Sequence, residues 1–370
     1  MTVLIGDSKS DSTRQLDHSG IRWVTKTESR KVSVIIVALL IYFMLNVSCA
    51  FGVILIYYFD QIYDSGFKMK TRIYTSVKKI LGKIKPIVWR IMGVFSANCI
   101  VETNYFKIKV SSRDNGIGRN FYLWGGYGLS EIDKAFEFLR KNNLYKSGTL
   151  LDIGANIGHV TLYCLSRKYC NYSICVEPDD FNFKMLQDNV NINLIHDKVL
   201  LKQTGLGSKS GKVNMILSQD NFGDHRIFTA SESCDEDKYN LKQNRQLTTI
   251  EIDRLDDLVG SSDVFDNVNF ISLDVQGFEL EVLQGGVDFF SQGIPMMLEV
   301  DPYLLEKKGS NIDMLFGLLS NCYTHFISLS DVDSKLIEIS KFIGFYNGVK
   351  EGEKDYADVL FISNSRNTNG

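Results

Sequence analysis

Residues 151–158 read Leu-Asp-Ile-Gly-Ala-Asn-Ile-Gly, and this glycine-rich stretch decides the fold of the chain. A short apolar run, residues 149–151, precedes it, and residues 159–165 follow with the apolar spacing of a buried helix. A strand, a glycine turn and a helix form the crossover that binds nucleotide-type ligands in open α/β sheets. Glycine serves such a turn because it has no side chain to keep the ligand away.

The spacing of the two glycines separates three kinds of loop. Gly154 and Gly158 have no glycine between them, whereas a dinucleotide fingerprint reads Gly-x-Gly-x-x-Gly. His159 and Val160 stand where a phosphate loop needs Lys and Ser or Thr. The remaining good match is the loop that binds S-adenosylmethionine, a ligand without phosphates, in Rossmann-like methyltransferases. The loop residues that we expect to bind this cofactor are Asp152, Gly154, Ala155, Asn156 and Gly158.

A second strand ending in an acid supports the same cofactor. Residues 173–176 are an apolar run that leads into Glu177 and Pro178, and Glu177 lies 23 residues after Gly154. An acid at the tip of the second strand of such a crossover can accept both ribose hydroxyls. Each signal alone has an ordinary explanation, a tight turn or a solvated strand end. Their joint spacing favours cofactor binding, so Glu177 and Pro178 join the predicted site.

The segment 32–59 contains 28 residues and no charge. Because a bilayer needs about 20 apolar residues, it is predicted to be a single transmembrane helix after a polar N-terminal tail, residues 1–31. Basic residues flank both ends, which leaves the orientation nearly tied. A cytosolic catalytic domain is favoured because the cofactor is made in the cytosol, with the lumenal side left open.

The linker, residues 60–104, is predicted to be basic and amphipathic. Residues 61–99 hold eight basic residues and one acid, and apolar residues recur at helical spacing from Ile80 to Phe95, interrupted at Pro86. We expect this stretch to lie on the membrane surface, the alternative being a helix packed on the catalytic domain. No basic stripe follows later, which argues against a nucleic acid partner. The seven scattered cysteines indicate neither a disulfide framework nor a metal site.

From Tyr105 to Ser363, strand and helix patterns alternate, which predicts an α/β domain with a largely parallel sheet. An extra pair of strands is expected near residues 212–217 and 247–252, and closing strands at 323–328 and 359–363. The polar stretch 231–246 predicts a loop, and residues 364–370 a disordered tail.

Three further motifs complete a recognisable pattern: residues 221–226 (Asn-Phe-Gly-Asp-His-Arg), 252–258 and 271–279. Together with the glycine loop and Glu177, they make residues 105–363 resemble the FkbM family of S-adenosylmethionine-dependent methyltransferases. The resemblance implies a Rossmann-like class I fold with a mostly parallel seven-stranded sheet and helices on both faces. It also implies an O-methyltransferase whose acceptor hydroxyl belongs to a glycan, a lipid or a small secondary metabolite.

Two residues depart from the family pattern. Gln276 stands where the family usually has glutamate, and Gly205 where it more often has alanine. If the missing acid works in catalysis, its loss favours a catalytically weakened binding or scaffold protein at a membrane. A nicotinamide-dependent oxidoreductase is a third possibility, opposed by the missing middle glycine.

Methyl transfer to a hydroxyl needs a base, and three residues are candidates for the chemistry. His225 has the better intrinsic pKa and is predicted to be the base. Asp274 ends a core strand and is predicted to position the substrates, the alternative being a helix cap. Glu299 ends the next strand, and Glu279 is expected on a solvated helix face.

Overall fold

The computed structural model describes residues 71–95, 98–228, 246–331, 335–352 and 355–363, with side chains from residue 82 onward. These residues belong to one compact unit, Gly66–Gly370; the other unit, Met1–Ser65, lies outside the described residues. The predictions for residues 1–31, for the loop at 231–245 and for the tail at 364–370 therefore concern residues that are not described.

The predicted single-pass membrane localisation is corrected. No helix within the described ranges is both long enough and apolar enough to cross a membrane. The segment 32–59, on which that prediction depended, lies outside those ranges.

A mixed sheet of eight strands forms the centre of the domain, one strand more than the seven expected. Its strands are β3 (Thr149–Ile153), β4 (Tyr172–Val176), β5 (Val199–Lys202), β10 (Val268–Leu273), β11 (Met296–Val300), β12 (His325–Ser328), β13 (Ile337–Glu338) and β14 (Ala357–Ile362). Their order is β13-β12-β14-β11-β10-β3-β4-β5. The five strands from β11 to β5 are parallel, whereas β14, β12 and β13 pair antiparallel. The extra strand is the two-residue β13 at the edge.

Helices cover the sheet because its central strands are apolar on both faces. Along β4, Ile174 and Val176 belong to one buried cluster while Cys175 belongs to another, as alternation across a sheet requires. The helices after β3 are α4 (His159–Ser166), α5 (Asp180–Ile192), α6 (Leu255–Gly260), α7 (Glu279–Gly285), α8 (Val287–Phe290), α9 (Pro302–Lys307), α10 (Ile312–Cys322) and α11 (Phe342–Glu351).

A second sheet lies between β5 and β10 in the chain. Its strands are β6 (Gly205–Leu206), β7 (Gly211–Leu217), β8 (Arg226–Ile227) and β9 (Gln246–Asp253), in the order β6-β9-β7-β8. The antiparallel pair β7 and β9 confirms the two inserted strands that the sequence predicted. Met215 and Ile227 pack with Phe278, which joins this sheet to the turn after β10.

The region before β3 consists of α1 (Thr71–Val94), β1 (Asn98–Glu102), β2 (Lys107–Ser111), α2 (Ile117–Trp124) and α3 (Leu129–Lys141). Trp89 of α1 is buried with its ring 5.1 Å from that of Tyr122. The C-terminal part of α1 thus packs on the domain, which was the alternative to a position on the membrane surface. Val101 pairs with Ile108 in a β1–β2 hairpin, so this structural unit crosses the predicted domain boundary at residue 105.

Candidate active site

A cavity of about 450 Å³ opens at the C-terminal ends of β3, β4, β10 and β11. Its volume falls within the roughly 300–1,000 Å³ typical of small-molecule sites, and this edge is where open α/β sheets bind ligands. The predicted site residues that line it are Gly154, Asn156, Glu177, Pro178, His225, Asp274 and Glu299. Asp152, Ala155 and Gly158 do not line it.

The two glycines of the loop are required mainly by the packing of the chain. Gly154 has φ +80°, and a side chain there would collide with the backbone oxygen of Asp274. Gly158 has φ +86° and caps α4, and its missing side chain leaves room for Leu186. Ala155 is buried and packs in the same cluster as Leu186. Of Gly154, Ala155 and Gly158, only Gly154 lines the cavity.

Asp152 is buried below the cavity and not in its wall. Its carboxylate accepts a hydrogen bond from Thr161 Oγ1 at 2.7 Å, which ties β3 to α4. Burial raises the pKa of Asp152 to about 6. The prediction that Asp152 contacts the cofactor is therefore corrected, because its side chain supports the loop from behind.

Glu177 holds the glycine loop and faces the cavity at the same time. Oε2 accepts the backbone N–H of Asn156 and Oε1 that of Asp179, both at 2.9 Å. A carboxylate has about four acceptor sites, so lone pairs remain on both oxygens for a ligand. Burial raises the pKa of Glu177 to about 8. The geometry suits a residue that accepts two neighbouring ribose hydroxyls.

Asn156 binds a neighbouring loop, which differs from the sequence-based expectation of a ligand contact. Its Nδ2 donates to the Phe222 carbonyl at 2.9 Å, and Asn182 Nδ2 donates to the same oxygen at 2.9 Å. The backbone N–H of Phe222 in turn donates to Asp114 Oδ1 at 3.2 Å. The loop that carries the residues 221–226 motif is thereby fastened over the end of the cavity that contains Glu177.

His225 also lines the cavity, but its ring nitrogens are already engaged. Nδ1 accepts the backbone N–H of Ser218 at 3.1 Å, and Nε2 lies 3.8 Å from Asp179 Oδ1. An Nδ1 that accepts a hydrogen bond places the ring hydrogen of a neutral histidine on Nε2, so neither nitrogen offers a lone pair to a substrate. The role of His225 as base stays a prediction, and this geometry opposes it.

The other end of the cavity carries a pair of carboxyl groups joined by an amide. Gln276 Nε2 donates to Asp274 Oδ1 at 2.7 Å and to Glu299 Oε2 at 3.0 Å. Asp274 is accessible through the cavity, yet the surrounding protein raises its pKa by desolvation. Burial and the nearby Asp274 and Asp358 charges raise the pKa of Glu299 well above its usual value. The pair therefore favours a state with one proton on Glu299 and a charge on Asp274.

The cavity residues that were not predicted as site residues include His159, Tyr127 and Tyr356. The His159 ring centroid lies 6.1 Å from that of Tyr127, and burial lowers the pKa of His159 to about 4. Its buried Nδ1 has no hydrogen-bond partner among the described residues. Tyr127 and Tyr356 interact with each other and with Glu299. Only the position of His159 directly after Gly158 gave a sequence signal.

Glu279 is corrected as well. It is buried, not solvated, and its Oε1 accepts the backbone N–H groups of Val275 and Gly277, each at 3.2 Å. Burial raises its pKa to about 8. It closes the turn that carries Asp274.

Comparison with known proteins gives a consistent picture. Residues 152–324 match the model of the methyltransferase FkbM domain. The chain is 28% identical over 144 residues to Methyltransferase 1 of Beauveria bassiana, which covers 37% of this chain and 57% of that protein. It thus spans little more than half the length of this curated relative.

Solved structures give weaker similarity. The FkbM methyltransferase from Methylobacillus flagellatus is 15% identical with a TM-score of 0.37, covering 66% of this chain and 52% of that one. The N-terminal domain of human METTL16 is 12% identical with a TM-score of 0.33, covering 63% and 67%. The family model matches just under half of the chain, a stretch that includes Gly154, Glu177, Asp274 and Glu299, and it confirms the predicted resemblance to FkbM methyltransferases.

Proposed function

We propose that this protein is an S-adenosylmethionine-dependent methyltransferase that methylates a hydroxyl group of a small-molecule, glycan or lipid acceptor. The observation that carries the proposal is Glu177, whose oxygens are both fixed by backbone N–H groups and keep lone pairs for a ribose. The match of residues 152–324 to the FkbM domain model supports it. The preference for oxygen as the methyl acceptor comes from the FkbM resemblance alone.

The residues present fit this cofactor. Glu177 and Pro178 would hold the nucleoside, and Gly154 lets the chain approach the ligand beside Asp274. His159 lines the same wall. When bound, the cofactor supplies a methyl group on a positively charged sulfur.

In the proposed reaction, Asp274 removes the proton of the acceptor hydroxyl. The proton would pass to the Asp274 carboxylate, and the bound cofactor would supply the methyl group that the acceptor oxygen takes in its place. Its raised pKa makes Asp274 a stronger base than an ordinary aspartate. Glu299, protonated, donates to Asp274 and keeps a second negative charge away from it. This assignment gives Asp274 the role of base, which the sequence suggested for His225.

The first test is ligand binding by the full chain, measured by calorimetry with S-adenosylhomocysteine and, in parallel, with NAD⁺. We expect binding of the former alone. A preference for NAD⁺ would favour the oxidoreductase alternative, and binding of neither would refute the proposal.

A scaffold protein would bind S-adenosylhomocysteine without turnover. The intact contacts of Gln276 with Asp274 and Glu299 argue against such a degenerate site.

A further inference from the structure

Gln276 lies in the turn between β10 and α7, in a conformation that fixes where its side chain points. Its φ is +55°, in the left-handed region that residues with a side chain seldom adopt. Gly277 follows with φ +96°. This backbone turns the Gln276 side chain towards the ends of β10 and β11, where Asp274 and Glu299 lie.

The chemistry of the amide is specific to this position. An NH₂ group has two hydrogens, and each bonds to a different carboxyl group, Asp274 Oδ1 and Glu299 Oε2. An ionised glutamate in the same place would only accept hydrogen bonds, so it could join the two groups only by taking up a proton.

We propose that Gln276 is a positioning residue whose amide joins Asp274 and Glu299 into one unit with a single negative charge facing the acceptor. Its part in the reaction rests on the proposed function, whereas the joining of the two carboxyl groups is a property of the folded protein itself. The glutamine would then be a working replacement for the family glutamate and not a sign of lost activity.

Among the described residues, none of the main charges that act on the pair belongs to a cation that would balance a third carboxylate. Six titratable groups interact electrostatically with Asp274 or Glu299: Tyr127, Asp152, Glu279, Asp301, Tyr356 and Asp358. All of them are acids or phenols, and Lys134 enters only through Asp358. An added charge at residue 276 would therefore be opposed from several sides.

The test is the melting temperature of Gln276→Glu between pH 5 and pH 8, with Gln292→Glu as the matched control on an exposed turn. A new glutamate beside the pair would have a raised folded-state pKa, so its folded form holds a proton that the unfolded chain releases above about pH 4.3. Stability is then kept at low pH and lost as the pH rises. We expect Gln276→Glu to melt close to the parent at pH 5 and about 5 °C or more below it at pH 8. The control should show no such pH-dependent loss.

A charge-balanced variant separates electrostatics from simple misfit. Asp274→Asn/Gln276→Glu has the same number of carboxylates as the parent and should recover most of the loss at pH 8. If the melting temperature of Gln276→Glu changes with pH in the same way as that of Gln292→Glu, the proposal is overturned. If Gln276→Glu folds at neither pH, the double variant decides the question. A folded double variant supports the proposal, and an unfolded double variant overturns it. Calorimetry of the parent with S-adenosylhomocysteine tests the proposed function separately.

Discussion

Replacing Glu177 with alanine is the change that probes the cofactor site most directly. Each oxygen of Glu177 accepts one backbone N–H and has capacity left for one ribose hydroxyl. Glu177→Ala removes both ribose contacts at once. It also releases the N–H groups of Asn156 and Asp179, so stability and binding must be measured together.

The magnitude follows from the two lost contacts. A hydrogen bond to a charged group contributes about 1.5–3 kcal/mol net, so the two contacts together contribute about 3–6 kcal/mol to binding. At about 1.4 kcal/mol for each factor of ten, the Kd for S-adenosylhomocysteine should rise about 100- to 20,000-fold. Glu177 is buried, so little screening by solvent reduces this figure.

The assay is calorimetric titration of S-adenosylhomocysteine at pH 9, where Glu177, with its pKa of about 8, is largely ionised. The ligand is titrated into the parent, Glu177→Ala and the control Glu137→Ala, which changes an exposed residue on α3. Circular dichroism at the same temperature shows whether each variant is folded. Folded Glu177→Ala that binds as tightly as the parent would refute the ribose assignment. A loss of binding in Glu137→Ala would show that the effect is not specific to the site.

Three further results are expected. Gly154→Ala should lower the free energy of unfolding, measured in urea, by about 2–5 kcal/mol, because the new methyl group meets the Asp274 backbone and φ is +80°. The control Gly317→Ala, on an open helix face, should leave the free energy of unfolding unchanged. Affinity for S-adenosylhomocysteine should rise about tenfold or more from pH 6.5 to pH 9, because Glu177, with its pKa of about 8, ionises over this range. The ligand-free protein should lose stability over the same rise in pH, because the folded state holds a proton on Glu177 that the unfolded chain has already released. Asp274→Asn should slow single-turnover methylation by about 10²–10⁴ without weakening cofactor binding, whereas His225→Asn should keep most of the rate; the opposite pattern would restore His225 as the base.

The central strands were predictable because their signal is local. The bounds of β3 and β11 agree with the largely apolar stretches at 149–153 and 296–300, since β3 is buried throughout and β11 buries every second residue. The two-residue β13 and the short β6 were not predictable, because so few residues carry no periodic pattern.

The site was predictable in outline and not in its contacts. Glycine spacing and strand-end acids located Gly154, Glu177 and Asp274 at one edge, because parallel strands bring their ends together. The meeting of Tyr127 with Tyr356 joins positions far apart in the chain, which one sequence does not reveal. The direction of a side chain is equally hidden, which is why Asp152 and Glu279 were assigned to the wrong surroundings.

The most direct test of the account is methyl transfer itself. The purified chain would be incubated with methyl-labelled S-adenosylmethionine and a cell extract, in parallel with Glu177→Ala and Asp274→Asn, and labelled products would be separated and counted. The account predicts a labelled product with the parent that falls at least about tenfold with both variants. Equal labelling by all three proteins, while all three are folded, would contradict the claim that this cavity catalyses methyl transfer.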